Sequence, residues 1–433
     1  MIAVRKTLMP GVSLTHLRTD KFKTNCLSVN LLTDLFSETA AMNAVLPQVL
    51  RRGTALCPDM ESLSALLDGY YGARVEPVVR KKGEIQVVGF YADFADDAYV
   101  PGGERLLEKI ARLLGDLLLT PNTHGGLLLP SYVESERDKL LEQIRARINE
   151  KRSYAVERLF ELMCYGEEYA VPRIGNESAA EAINYRTLTK HYKNLLSASP
   201  IEVFYCGSAD ITRVEDALGD AFAALPRGEL NEDLCTLIRL NAIEDQPRYY
   251  TEEMDVTQGK LSVGFRMGDS MEDPDFAALR VMNAVYGGSV TSKLFMNVRE
   301  KLSLAYYASS SLDLHKGVMS VASGIEFDQY EPALAEIFSQ LDAVRDGEIS
   351  DEEQQAASSY VASSLRSLSD SSSSLEDFYL SQNIQGLDVS PEEFAGAVEL
   401  VTKDEVVEIA RGIECDAVYF LRGFDTEVET DDA

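Results

Sequence analysis

The 433-residue chain sets 41 Lys and Arg against 71 Asp and Glu, a formal charge of −30 that repels nucleic-acid phosphates and anionic membrane surfaces, so neither is an expected partner. With 45% hydrophobic residues it can bury more than one core, and because single cores rarely grow past ~250–300 residues, two domains are expected. No apolar run approaches the ~18–20 residues that a bilayer-spanning helix needs. Met1 to Phe22 lacks an apolar stretch and a small-residue cleavage site, so it does not read as a signal peptide, and the cytoplasm is the expected location. The six cysteines (Cys26, Cys57, Cys164, Cys206, Cys235 and Cys415) form no CxxC pair, which points to buried reduced thiols.

In chain order, Leu27 to Thr33 and Glu84 to Tyr91 run apolar or alternate as strands do. Glu104 to Leu119 and Tyr132 to Leu162 then place apolar residues at helical spacing, and a helix is predicted over each span. Ile201 to Tyr205 is a further strand. Pro226 to Glu253 is rich in Glu, Asp and Asn and holds no period, so it reads as the linker between domains 1–230 and 231–433. Beyond it, Leu261 to Met267, Val318 to Ser323 and Ala417 to Leu421 read as strands, and Asp351 to Leu368 as a helix. The serine-heavy tract Ser358 to Ser374 is flanked by helical spacing at Tyr360, Val361, Leu365 and Leu368 and again from Leu375 to Leu380. It predicts two helices joined by a polar turn, with some serines capping. The acidic end, Asp425 to Ala433, is expected to be disordered.

A repeat links the halves. Leu27-Ser28-Val29 returns as Leu261-Ser262-Val263, and Met42-Asn43-Ala44-Val45 as Met282-Asn283-Ala284-Val285. Gly83 before Ile85-Gln86-Val87 returns as Gly317 before Met319-Ser320-Val321. The shared order and near-constant offset predict a duplicated unit of strand, helix, helix and strands. The expected fold is α+β: two related domains, each a mostly antiparallel sheet with helices packed on one face.

Tyr286 to Tyr307, YGGSVTSKLFMNVREKLSLAYY, reads as a glycine turn, an amphipathic helix and a strand entered through Leu304-Ala305-Tyr306. Gly287 and Gly288 supply permissive backbone, and Ser289, Thr291 or Ser292 can cap the helix. On residues alone, Arg299 would be a surface arginine and Tyr306 a strand tyrosine. The stretch, however, resembles the run LGG…SxLF…lReKxGLaYs of the insulinase/pitrilysin/mitochondrial-processing-peptidase family. It matches at Gly287, Gly288, Ser292, Leu294, Phe295, Arg299, Glu300, Lys301, Leu304, Ala305 and Tyr306, with Ser303 in place of the usual glycine. The resemblance implies a clamshell of paired domains and a substrate-binding set of Arg299, Tyr306, Gly287 and Gly288. A guanidinium fork suits a peptide carbonyl or carboxylate, and a phenol can donate to a developing oxyanion.

That family holds zinc through an inverted HxxEH motif and a distal glutamate. Aligned on Gly53-Thr54, the motif slot falls on Ala44-Val45-Leu46-Pro47-Gln48, which has neither histidine nor the glutamate. Pro47 also disfavours a regular helix interior there. The distal glutamate falls on Gln143, with Glu142 one residue away; Glu136, Arg137 and Glu142 read as structural or solvated residues of a charged helix. His16, His124, His191 and His315 are widely separated. No metal site and no cofactor are expected, and no phosphate loop or nucleophile elbow is present.

Inactive members of the family commonly pair with an active sister chain. The resemblance therefore implies a non-catalytic subunit that orients extended peptide beside an HxxEH-bearing homologue in a bacterial heterodimer. Two alternatives stand beside it: a lone peptidase with an atypical metal site drawn from Glu136, Glu142 and a histidine, or a peptide-binding scaffold that self-dimerises.

Overall fold

The computed structural model describes residues 3–272 and 274–424; the acidic end from Asp425 lies outside them. In chain order the strands are β1 (Ala3–Met9), β2 (Val12–Arg18), β3 (Thr24–Asp34), β4 (Arg74–Lys82), β5 (Ile85–Ala95), β6 (Thr123–His124), β7 (Leu127–Leu128), β8 (Ile201–Gly207), β9 (Arg248–Glu253), β10 (Gly259–Arg266), β11 (Tyr307–Asp313), β12 (Val318–Ile325) and β13 (Glu414–Arg422). The helices are α1 (Ala40–Leu50), α2 (Met60–Gly69), α3 (Leu106–Leu119), α4 (Pro130–Ala146), α5 (Lys151–Met163), α6 (Glu177–Glu181), α7 (Tyr185–Ala198), α8 (Ile211–Phe222), α9 (Phe276–Asn283), α10 (Tyr330–Arg345), α11 (Asp351–Ser367), α12 (Ser372–Gln385), α13 (Pro391–Leu400) and α14 (Lys403–Gly412).

The first sheet has the order β1-β2-β8-β3-β5-β4 and the second β9-β13-β10-β12-β11. Leaving out β1, the two correspond strand for strand. β2 and β9 run parallel to β8 and β13, and the remaining pairings are antiparallel in both sheets. In each, the repeated Leu-Ser-Val lies in the central strand, β3 or β10. The repeated turn glycine sits in the edge hairpin, where Gly83 (φ 61) and Gly317 (φ 68) take the left-handed backbone that favours glycine. The duplicated α+β unit expected from the sequence is thus present twice.

Two compact units result, each built from three segments. Unit 1 runs through Ala146 and includes Val171–Thr236 and Ser367–Ser390; unit 2 comprises Arg147–Ala170, Leu237–Arg366 and the described residues from Pro391 on. α5 therefore belongs to unit 2 and α12 to unit 1, so each half of the sequence lends one helix to the other half's unit.

Strand alternation explains how that loan is used. On β3, Leu27, Val29 and Leu31 point into an apolar core shared with α1, α3 and α7. Cys26, Ser28 and Asn30 point the opposite way, beneath α12, where Glu376 accepts hydrogen bonds from Ser28 Oγ (2.9 Å), Asn30 Nδ2 (2.9 Å) and Arg80 (2.7 Å). In unit 2, α5 covers Ala417, Tyr419 and Leu421 of β13 through Ala155, Leu159 and Met163. It approaches β10 so closely that a Cβ on Gly264 would lie 2.5 Å from Met163 Sδ. Helices thus cover both faces of each sheet, several on one and a single borrowed helix on the other.

Three local expectations differ from what is seen. The helical pattern from Tyr132 to Leu162 breaks at 147–150 into α4 and α5, because the two helices bury their apolar faces in different units. The linker Pro226–Glu253 ends in edge strand β9, which pairs in parallel with β13, and its earlier residues are anchored rather than loose. Asn231 donates to Asp34 (2.7 Å), Thr236 Oγ1 accepts from the Glu84 N–H (2.9 Å), and Leu240 O accepts from the Gly268 N–H (3.0 Å). Pro47 does not stop α1. Nine of its eleven residues are buried, and that packing outweighs the ~3 kcal/mol that an internal proline costs. The serine tract behaves as expected: α11 ends at Ser367 and Ser371 caps α12 by accepting from the Ser374 N–H.

Candidate functional site

The segment predicted as one amphipathic α-helix is wound more widely. Ala284–Gly288 and Leu294–Lys301 are π-helical, a geometry that concentrates at functional sites. Buried Leu294 and Val298 hold the second π segment. Lys293 is tied to Glu353 (3.0 Å) and Asn297 to Gln340 (2.7 Å), which pins it to α11 and α10. The segment closes with the Leu302 N–H donating to Asn297 O (3.0 Å) and the Leu304 N–H to Val298 O (2.9 Å). Ser303 follows at φ 52, left-handed backbone at the position where the resembled motif has glycine.

Neither Gly287 nor Gly288 has a positive φ; what their missing side chains permit is close approach. A Cβ on Gly287 would stand 2.7 Å from Ser310 N, and one on Gly288 2.5 Å from Asn283 Nδ2. Gly287 seats the turn against β11 and Gly288 seats it against Asn283 of α9, whose Oδ1 accepts from Ser310 Oγ of β11 (2.6 Å).

Tyr306 immediately precedes β11, the edge strand of its sheet, and Arg299 lies near the end of the π-helical segment that leads to it. The Arg299 side chain is 42% exposed; its guanidinium lies over the Phe295 ring (4.7 Å to the centroid), and its Nε is 3.5 Å from the Glu300 carboxylate. Tyr306 is 58% exposed, its backbone N–H donates to Gly324 O (2.8 Å), and its phenol donates to the Glu326 carboxylate. That hydrogen bond, then the negative charge behind it, raises the phenol pKa and keeps it protonated. Glu326 is the member of this site that sequence reading missed. Glu326 directly follows β12 as Tyr306 directly precedes β11, and the pairing of Tyr307 with Gly324 brings those two strand ends side by side.

The metal slot is different in kind. On α1, Ala44 and Pro47 are buried and present carbon, and Gln48 is exposed. Gln143 and Glu142 are exposed on α4, whereas Glu136 is buried and bridged to Arg52 (2.6 Å) and Lys139 (2.9 Å). Zinc needs imidazole, thiolate or carboxylate donors converging on one point. A methyl group, a proline ring and two amides do not fit it. Among the described residues no three His, Cys, Asp or Glu side chains gather closely enough to hold a metal ion. The nearby His191 instead hydrogen-bonds Asn43 Oδ1 (2.6 Å), and burial lowers its pKa to about 4, leaving it neutral.

Buried charge collects elsewhere, under α5. Fully buried Arg266 binds Asp416 (2.9 Å) and Glu167 (2.6 Å), and Lys316 reaches Glu167 at 2.8 Å. Burial alone would raise the Glu167 carboxyl, but hydrogen bonds from Arg266 and Lys316 outweigh it and hold its pKa below the usual range. Such networks are costly to break once formed.

A duplicated α+β chain with an arginine–tyrosine motif in one half and an apolar helix where the other half's metal motif would fall defines a metallopeptidase-like protein of inactive type. The family description "Peptidase M16 inactive domain" matches residues 182–359. The chain is 32% identical over 415 residues to the probable inactive metalloprotease YmfF of Bacillus subtilis, covering 95% of this chain and 96% of that one. The chain belongs to the M16 peptidase family. Among solved structures, a conserved protein from Enterococcus faecalis is similar along its whole length, with TM-score 0.88, 27% identity and coverage of 98% of this chain and 99% of that one. The peptidase M16 inactive domain from Pseudomonas fluorescens shares the fold, with TM-score 0.77 at 15% identity and 98% of each chain covered.

Proposed function

We propose that this chain is a non-catalytic M16 subunit that binds extended peptide and works in the cytoplasm beside an active homologue carrying the zinc motif. One observation carries the reading. The Arg299–Tyr306 pair is kept, exposed and rigidly mounted on a pinned segment, while the metal slot has been rewritten in carbon and amide. A chain selected only as a scaffold has no use for that asymmetry. An unpaired edge strand such as β11 can accept peptide backbone, with Arg299 reaching a carbonyl or carboxylate and Tyr306 donating to a carbonyl. The water-activating step belongs to the partner. No helix among the described residues is long and apolar enough to cross a membrane, which suits a role away from one.

The test is complementation. The purified chain is mixed with an HxxEH-bearing homologue from the same genome, and peptide hydrolysis is followed. Activity should appear on mixing and fall at least tenfold with Arg299→Ala or Tyr306→Phe. Unchanged turnover with both variants overturns the proposal.

A further inference from the structure

Beneath the motif tyrosine lies a carboxylate with no counterpart in the sequence pattern that identified the site. A phenol has one proton to donate, and in the resting chain Tyr306 donates it to Glu326. If Tyr306 turns to a peptide carbonyl, Glu326 loses its donor and is left beside the bound backbone as an unpaired anion. Arg299 repeats the arrangement, since its guanidinium also faces a carboxylate of its own chain, Glu300. Met296, Lys301 and Leu302 of the segment that leads to Tyr306 are exposed, and Arg152 lies over the adjoining Tyr307 ring (4.2 Å to the centroid) rather than on Glu326.

We infer that Glu326 is a specificity-determining residue that selects peptides carrying a Lys or Arg side chain next to the carbonyl that Tyr306 binds. The incoming cation replaces the phenol as partner of Glu326, so the exchange ends with the carboxylate in a charge-assisted hydrogen bond rather than facing water. A neutral peptide at the same place leaves the carboxylate to water alone, and an acidic one sets two anions together. The overall charge of −30 draws cationic chains toward the protein and acts in the same direction. This inference rests on the proposal that the Arg299–Tyr306 site binds peptide.

The experiment measures fluorescence anisotropy of three labelled, end-capped extended peptides, identical except for Lys, norleucine or Glu at one central position. They bind the full chain, wild type and Glu326→Gln, at low and high salt. Glu326 is exposed, so the variant keeps its fold, which circular dichroism verifies. The wild type is expected to favour Lys over norleucine about fivefold at low salt, an exposed charge pair's worth, with the preference shrinking as salt rises. In Glu326→Gln the two affinities should converge. Equal affinity for Lys and norleucine peptides in the wild type, or an undiminished preference in Glu326→Gln, overturns the role of Glu326 while leaving peptide binding intact. Absence of binding by all three peptides overturns both.

Discussion

Glu376→Ala is the substitution that probes the borrowed helix most directly. The Glu376 side chain is fully buried on α12 and serves three donors of the first sheet: Ser28, Asn30 and Arg80. Removing one member of a buried ion pair costs about 3–5 kcal/mol when the partner is stranded. Here two features soften the loss. Arg80 is 25% exposed and keeps Asp377 at 3.3 Å, and Asn30 Nδ2 also donates to Ser28 Oγ at 3.1 Å. The remaining deficit is one unmet buried donor and the lost charge-assisted bond, which together give about 3 kcal/mol. Glu376→Gln, which retains an acceptor but turns an amine toward Arg80, should cost about half that. Urea denaturation read with hydrogen exchange is the appropriate assay. Protection should fall first in β3 and β8, the strands beneath α12, while β10 and β13 stay protected at low urea. A change below about 0.5 kcal/mol, or loss of protection in β10 and β13 instead, would refute the assignment of α12 to unit 1 as a structural member.

Two further outcomes follow from single residues. Ser303→Gly should raise stability by about 0.5–1 kcal/mol, because relief of left-handed strain exceeds the added unfolded-state entropy of glycine; a lowered urea midpoint contradicts this. His191 is held neutral with its pKa lowered from 6.5 to about 4. The unfolded chain takes up its proton first as the pH falls, so stability is intact above about pH 6.5 and is lost between there and pH 4, by up to about 3 kcal/mol. His191→Gln should flatten that acid limb in melting temperature against pH, and an unchanged slope tells against it.

The central strands were legible in the sequence because both of their faces are buried, so Leu27–Thr33 and Leu261–Met267 read as apolar runs. Of the edge strands, β11 was legible through the run that enters it at Leu304-Ala305-Tyr306, whereas β4 and β9 were not. β4 contains Pro77, and β9 reads Arg-Tyr-Tyr-Thr-Glu-Glu with every second residue exposed, patterns that resemble linkers until a neighbouring strand is known. The break between α4 and α5 was hidden for a different reason. Apolar spacing records that a face is buried, not which sheet buries it, and no glycine or proline marks 147–150. The π-helical winding of Leu294–Lys301 is equally silent, since over eight residues a wider period cannot be told from the ordinary one. Of the site, Arg299 and Tyr306 could be found through their motif. Glu326 could not, because only hairpin register brings it to the tyrosine. Glu376 left a faint signal, an acidic pair with Asp377 set between Leu375 and the apolar run Phe378 to Leu380.

The helices on loan occupy equivalent places in the two halves: α5 is the third helix after the β4–β5 hairpin, as α12 is after β11–β12. A half-length ancestor with this layout could not have covered its own sheet, but two identical copies would each have completed the other by swapping that helix. The present polypeptide is what tandem fusion of such an intertwined homodimer would produce. Once fused, the two copies were free to diverge, one ending with carbon and amide at the slot on α1 and the other with the arginine–tyrosine motif. Severing the chain at residue 236 should accordingly yield pieces that are insoluble apart and recover only when made together.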